Sequence, residues 1–198
     1  MKTIGVISDT HGRLTDKAIA ALEGGYSPEH VICHVAVDAD EGLPIMEPTP
    51  CDFIVHVGDV GNADMPAHWI LDRLREIAPL VAVSGNCDDP DQYVLEGKPL
   101  PLYVVFEEGD IRFAVFHDPK DLRAAIKGGL TNPAYIVPEP RVQIHGHTHV
   151  YHVSKHQSGI VMICPGAVTN PQGGNPPTLA ILKIEGPDKL LSVDIVTL

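Results

Sequence analysis

Asp9, His11, Asp59, Asn86, His117, His147 and His149 fall in five short stretches, each at the end of an apolar run. Two carboxylates, one carboxamide and four imidazoles are ligand types for borderline divalent cations, with no thiolate required. Their number suffices for two ions, and the chemistry this implies is hydrolysis at a two-metal site. Each residue alone also has an ordinary reading. An Asp after a strand often caps the next helix, and a His near a strand end often satisfies a backbone carbonyl. The weight lies in five such stretches sharing one type of position.

The elements that must position them are short strands. Lys2 to Ile7 is a β-branched run that stops at Ser8, Asp9, Thr10 and His11. Asp52 to Val57 ends at Gly58 and Asp59, and Leu80 to Ser84 ends at Gly85 and Asn86. Ile111 to Phe116 ends at His117, and Arg141 to Ile144 ends at His145, with His147 and His149 just beyond. In open α/β sheets, ligands bind outside the carboxyl ends of the strands, which is where all seven would stand. Leu14 to Leu22 has helical spacing, with Thr15 or Asp16 able to cap it and Gly24-Gly25 to stop it. Ala67 to Ile77 is amphipathic, with Trp69, Ile70, Leu74 and Ile77 predicted on the buried face. Glu108-Gly109-Asp110 is a hairpin signal, and Lys120 to Ile126 suits a short helix. Strands are predicted at Tyr151 to Lys155, Ile160 to Ile163, Leu179 to Ile184 and Leu191 to Val196. A βα first half and a strand-rich second half predict two packed sheets with outer helices.

The block from Ile4 to His149 resembles the calcineurin-like metallophosphoesterases, whose pattern is D-x-H, G-D, G-N-x-[DE], a lone H and G-H-x-H. Here these are Asp9-Thr10-His11, Gly58-Asp59, Gly85-Asn86-Cys87-Asp88, His117 and Gly146-His147-Thr148-His149. Pro165 to Val168 and Pro171 to Pro177 look like the small bacterial and archaeal phosphodiesterase branch, so that nearly the whole chain is covered. The resemblance implies an α/β fold, a four-layered α-β-β-α sandwich of two packed mixed sheets flanked by helices. It implies Asp59 as a bridging ligand, with Asp9, His11 and His149 completing one metal site and Asn86, His117 and His147 the other. The reaction implied is in-line attack on a phosphoester by a metal-bridging hydroxide, without a covalent enzyme intermediate. Two divalent ions are expected, Mn²⁺ first, with Fe, Zn²⁺ or Ni²⁺ as alternatives.

Several positions qualify this reading. His56 and His145 lie just before motif glycines and are expected to support the ligands from behind. Cys87 stands where many relatives have a histidine, either as a proton donor to the leaving group or as a packing residue. Its presence favours diesters or activated aryl esters, which need less protonation on leaving. Asp118, where relatives usually have Gly, is either an outer ligand or half of an Asp-Pro turn. Gln172 replaces an Arg common in relatives, which predicts a high KM for small anions, lowered in Gln172→Arg. The segment 24–50 looks like an insertion. Within it Val31 to Val37 could be a true sheet strand, and Asp38, Asp40 and Glu41 read as a solvated loop in preference to a third metal site. His30, His34, His68, His152 and His156 have no motif around them.

The 198 residues suit one domain, residues 1–198. With 14 Lys plus Arg against 26 Asp plus Glu, the formal charge of −12 has the wrong sign for gripping nucleic acid, so a small-molecule or nucleotide phosphoester is expected as substrate. No apolar stretch of about 18 residues or signal sequence is visible, which predicts a cytoplasmic protein without a membrane partner. Four cysteines without C-x-x-C spacing argue against a zinc ribbon or a disulfide framework. Leu43, Ile45 and Met46 could serve a homo-oligomer interface or the core. The expected function is thus a two-metal phosphodiesterase. Its alternatives are a phosphomonoesterase for a nucleotide or sugar phosphate, and a metal-binding, non-catalytic interaction scaffold like the retromer subunit that shares this fold.

Overall fold

The computed structural model describes residues 1–62, 67–89, 91–120 and 140–198. In chain order the first elements are β1 (Lys2–Ile7), α1 (Asp16–Leu22), β2 (Val31–Ala36), β3 (Phe53–His56), α2 (His68–Ile77) and β4 (Leu80–Ala82). Two-residue strands β5 (Val94–Leu95) and β6 (Lys98–Pro99) form a small ribbon. β7 (Tyr103–Glu108), β8 (Ile111–Phe116), β9 (Val142–Ile144), β10 (His152–Lys155), β11 (Val161–Cys164), β12 (Thr178–Glu185) and β13 (Lys189–Thr197) complete the chain.

Two mixed sheets form. The first has the order β2-β13-β12-β1-β3-β4 and the second β10-β11-β9-β8-β7. β1, β3 and β4 run parallel, as do β8, β9 and β11, while β12 and β10 are antiparallel to their neighbours. Side chains alternate along a strand, so each strand of the first sheet serves two cores. Ile4, Val6, Val55, Ala180 and Leu182 pack with Phe113, Val115, Ile144 and Ile163 of the second sheet. Ile7, Ile54, Leu179 and Ile181 face the other way, against Ala18 and Leu22 of α1 and Ile70, Leu71 and Leu74 of α2. Burying one such Leu or Ile stabilises the fold by about 1.5–3 kcal/mol. Among the described residues this makes three layers: helices, six-stranded sheet and five-stranded sheet. The short helix expected from Lys120 to Ile126 lies, beyond Lys120, outside the described residues.

Local chemistry explains most boundaries. Thr15 caps α1, its side chain accepting from the Ala18 amide at 3.1 Å. The 108–111 hairpin closes at Gly109, whose φ of 61° is a left-handed conformation open to glycine. α2 departs from its predicted face. Trp69 is 50% exposed and Leu71 is buried in its place, because at 3.6 residues per turn Leu71 lies on the side of Leu74 and Trp69 does not. Val31–Ala36 is a true edge strand beside β13, so Val31 to Val35 and Phe53 to Val57 are two strands of one sheet. Asp38, just beyond, is engaged in an ion pair with Arg141 and accepts from the Leu190 amide at 3.0 Å. Asp38 is therefore held by the fold and is not the solvated charge that was expected, whereas Asp40 and Glu41 are exposed. Leu43 and Met46 line an open cavity of about 1050 Å³ with Met1, Asp38 and Leu191, as neither core nor fully exposed residues. All four cysteines are free; Cys51 and Cys164 are buried, Cys33 and Cys87 half-buried. No helix among the described residues is long and apolar enough to cross a membrane.

Candidate metal centre

The carboxyl ends of β1, β3, β4, β8 and β9 meet at one rim, and their loops are tied together by backbone hydrogen bonds. Asp9 N donates to Gly58 O (3.1 Å), His11 N to Asp59 O (3.0 Å), Gly146 N to His117 O (3.1 Å) and Val168 N to Ser8 O (3.1 Å). The approach is so close that motif glycines have no room for a side chain. A Cβ on Gly85 would stand 2.1 Å from Asp59 Oδ1, and one on Gly146 2.1 Å from Ser8 Oγ. Asp9, His11, Asp59, His147 and His149 all have φ between 44° and 68°. Asp and His enter the left-handed region more readily than most residues, but each such backbone costs on the order of 1 kcal/mol. Five strained residues in one cluster mark a place where geometry is held at the expense of stability.

Ligand-type atoms of Asp9, His11, Asp59 and His149 all lie within 4.8 Å of one another. Asp9 Oδ1 is 3.0 Å from His149 Nε2 and 4.0 Å from both His11 Nε2 and His117 Nε2. Asp59 Oδ2 is 3.3 Å from His117 Nε2 and 3.8 Å from His11 Nε2. Second-rank contacts fix these groups. His117 Nδ1 donates to Val57 O (2.7 Å) and His149 Nδ1 to Asn170 O (2.8 Å), which leaves each Nε2 lone pair aimed at carboxylates. Ser8 Oγ donates to Asp9 Oδ2 (2.5 Å), and Cys87 N donates to Asp59 Oδ1 (2.8 Å).

Such an array of lone pairs needs positive charge. Asp9 Oδ1 and His117 Nε2 are buried and have no hydrogen-bond partner, an arrangement that costs free energy unless a cation completes it. The residues therefore fit a divalent ion. Burial alone would lower the His117 pKa, but Asp59 and Asp9 raise it to about 9. Burial likewise works against ionised Asp59, yet His117 and the Cys87 amide bring it down to about 2. His149 is raised chiefly by Asp9.

Asn86 and His147 stand at the open side. Their Oδ1 and Nδ1 atoms are 2.8 Å apart, close enough to serve one ion, and the His147 ring packs edge-on to His117 with centroids 5.3 Å apart. Asp118 Oδ2 lies 3.6 Å from His147 Nε2, while its Oδ1 accepts from Lys120 N at 2.8 Å. Asp118 thus forms its turn and faces the centre at once. His56 is fully buried, with Nε2 3.1 Å from Thr10 Oγ1 and Nδ1 accepting from Gly58 N at 3.2 Å. Burial takes its pKa down to about 4, so it braces two ligand loops as a neutral ring. His145 touches the Gly146 carbonyl (3.1 Å) and stacks on Phe116, with its pKa lowered by burial. Burial and Asp59 push the Cys87 thiol up to about 11, so it keeps its proton at neutral pH. Gln172 is exposed and turns its amide to Asn170 O at 3.4 Å. His34 is satisfied away from the site by Asp194 (2.5 Å) and Leu43 O (2.9 Å).

Three contributors have no role that the sequence assigns. Asp88 accepts from Gly61 N (3.1 Å) and Gly85 N (2.9 Å), clamping two ligand loops. Its place two residues after Asn86 was the available signal. Ser8 was legible only as the neighbour of Asp9. The Asn170 carbonyl carried no sequence signal, since any residue offers one.

Linkage gives the metal-free protein a bell-shaped stability. His117, raised above the ordinary 6.5, contributes stability present below pH 6.5 and lost as pH rises through about 9. His56, lowered, contributes stability present above pH 6.5 and lost as pH falls through about 4. The His117 part is about 3 kcal/mol at most, or roughly 5–10 °C in Tm. Melting curves of stripped protein should drop by that amount from pH 6.5 to 9.5, and metal-loaded protein should not. Equal alkaline losses in both forms would mean that no cation takes the place of the His117 proton.

The comparisons with known proteins agree with this geometry. A family model, the calcineurin-like phosphoesterase superfamily domain, matches residues 1–187. A probable metallophosphoesterase of Methanocaldococcus jannaschii is 30% identical over 191 residues, 94% of this chain and 77% of the relative. Among solved structures, a predicted phosphoesterase from Streptococcus pneumoniae is 22% identical with a TM-score of 0.57, covering 99% of this chain and 89% of that one. Vps29 of Entamoeba histolytica, solved with Zn²⁺, is 18% identical with a TM-score of 0.55, covering 92% and 86%. These two structures share the fold; the whole-chain match places it in a family. A rim of strand ends that gathers Asp and His side chains with their lone pairs toward one another is what that family's name leads one to expect, and the chain belongs to the calcineurin-like phosphoesterase superfamily.

Proposed function

We propose that the protein is a two-metal phosphodiesterase acting on small-molecule or nucleotide diesters. The observation that carries this is the pair of buried, unpartnered atoms, Asp9 Oδ1 and His117 Nε2, 4.0 Å apart, with Asp59 Oδ2 3.3 Å from the second. Asp9, His11, Asp59 and His149 would hold one ion, and Asp59, Asn86, His117 and His147 the other, with Mn²⁺ preferred for the mixed oxygen and imidazole set. When bound, such ions lower the pKa of water and draw charge from phosphoryl oxygens. The chain's own part is to fix the donors. Asp59 would serve both ions, the backbone carbonyls of Val57 and Asn170 set two imidazoles, and neutral His56 braces the loops. Cys87 places its amide on Asp59 and a protonated thiol half-buried beside it. With a thiol of pKa about 11 as the candidate proton donor, esters with good leaving groups are favoured. This supports diesters and aryl esters over alkyl monoesters.

Asp118 is placed to orient His147 once that ring ligates an ion. A ligating histidine usually gives its other ring nitrogen to a carboxylate or carbonyl, and Asp118 occupies that side of His147. Asp118→Asn should weaken the second ion about 10–100-fold and leave the first in place. Equilibrium dialysis with metal analysis checks this; parallel loss of both ions, or of neither, would contradict it.

The functional test compares bis-p-nitrophenyl phosphate with p-nitrophenyl phosphate after Mn²⁺, Ni²⁺, Zn²⁺ or Mg²⁺ is restored singly to stripped protein. Faster metal-dependent turnover of the diester is expected, and faster turnover of the monoester would install the phosphomonoesterase reading instead. Likeness to Vps29 favours one further reading, a metal-binding interaction scaffold. Full metal loading without turnover of either ester would put it first.

A further inference from the structure

Two clefts leave the metal centre, and they differ in charge. One, of about 110 Å³, is lined by His11, Arg13, Asn62, Thr169 and Asn170. The other, of about 450 Å³, is lined by Asn62, Asn86, Cys87, Asp88, Asp89 and Gln92. Each contains candidate ligands of one ion, His11 in the first and Asn86 in the second, and Asn62 lines both. Among the described residues the larger arm carries two carboxylates and no cation, whereas Arg13 is the guanidinium of the smaller arm.

At a formal charge of −12, acids outnumber bases, and among the described arginines Arg73, Arg112 and Arg141 each stand against a carboxylate. Arg13 and Arg75 do not, and of these two it is Arg13 that lines a cleft of the metal centre. Arg13 forms no ion pair among the described residues and is exposed. Its backbone is nonetheless anchored. Arg13 N donates to Thr10 O (2.9 Å), and the preceding Gly12 N to Val60 O (2.9 Å). The backbone of Arg13 is therefore fixed beside the centre by the loop that holds His11, and the residue lines the cleft. Asn170, whose carbonyl accepts from His149 Nδ1, lines the same cleft, as does Asn62. A guanidinium fork beside a carboxamide donor is a receptor for an oxyanion.

We propose that Arg13 and its cleft form a subsite for a second oxyanion, a phosphate or carboxylate carried on one arm of the substrate. The substrate is then an unsymmetrical phosphodiester, with an anionic arm toward Arg13 and a neutral or amine-bearing, hydroxylated arm toward Asp89 and Gln92. The inference rests on the phosphodiesterase reading for the position of the scissile phosphate.

Two matched pairs test it. Thymidine 3′-phosphate 5′-(p-nitrophenyl phosphate) is compared with thymidine 5′-(p-nitrophenyl phosphate), and the p-nitrophenyl phosphodiester of glycolate with that of ethanol. The wild type should favour the anionic member of at least one pair by about tenfold in kcat/KM, expressed in KM. The pair that shows the preference identifies phosphate or carboxylate. In Arg13→Gln the preference should vanish or reverse, and Arg13→Lys should retain part of it. A wild-type ratio at or below one in both pairs, or a preference that survives Arg13→Gln, would overturn the proposal. If no ester is turned over, the phosphodiesterase reading fails separately, and calorimetry decides the subsite. Tighter binding of thymidine 3′,5′-bisphosphate than of thymidine 5′-monophosphate to the Mn²⁺-loaded wild type, lost in Arg13→Gln, supports it; equal binding overturns it.

Discussion

Asp59→Asn should cost at least about a thousandfold in metal-dependent turnover, because one substitution removes the carboxylate that faces both halves of the centre. Asn keeps the shape and can still accept from the Cys87 amide, so the loop should survive. What disappears is the charge 3.3 Å from His117 Nε2 and 3.8 Å from His11 Nε2. A second consequence separates this from general damage. Asp59 contributes most to lifting His117 to about 9, so the alkaline loss of stability in stripped protein should shrink in the variant. Kinetics with titrated Mn²⁺ and melting curves at pH 6.5 and 9.5 measure both. Turnover within tenfold of wild type would remove Asp59 from the centre.

Gly85→Ala is the second large effect, and it acts through sterics alone. A methyl group there would stand 2.1 Å from Asp59 Oδ1 and 2.2 Å from Asp59 N. Because one of these atoms is backbone, no side-chain rotation relieves the clash, and the loop after β4 must retreat from the loop after β3. That retreat stretches Cys87 N to Asp59 Oδ1 and Gly85 N to Asp88 Oδ2, both at 2.8–2.9 Å, and withdraws Asn86 from His147. Overpacking of this kind costs about 1–3 kcal/mol. The expected variant is folded by circular dichroism, melts several degrees lower, loses the second ion and falls at least about a hundredfold in turnover. A variant with full metal content and wild-type rates would show that the close approach at Gly85 is not required.

The candidate site was more legible in the sequence than the fold around it. Asp9, Asp59, Asn86 and His117 are conspicuous because each ends a β-branched run, where a buried polar residue would otherwise be costly. Strands β1, β3 and β8 and the Thr15 cap follow from the same alternation and capping rules. Trp69 was misplaced because helical spacing gives an apolar arc but not which edge of it meets the sheet. The β5–β6 ribbon is too short for periodicity to register. Least legible were the carbonyls of Val57 and Asn170, which orient two imidazoles yet belong to no residue type. The left-handed backbone at five candidate ligands was also hidden, since it arises from loops pinned to one another across the rim.

That pinned rim makes the number of ions the central quantity. Stripped protein dialysed against Mn²⁺ and assayed for bound metal, with electron paramagnetic resonance on the same sample, tests it most directly. The account predicts two Mn²⁺ per chain with the altered spectrum of a coupled pair, reduced to one or none in Asp59→Asn. A single uncoupled Mn²⁺ at saturation, or binding unaffected by Asp59→Asn, would contradict it.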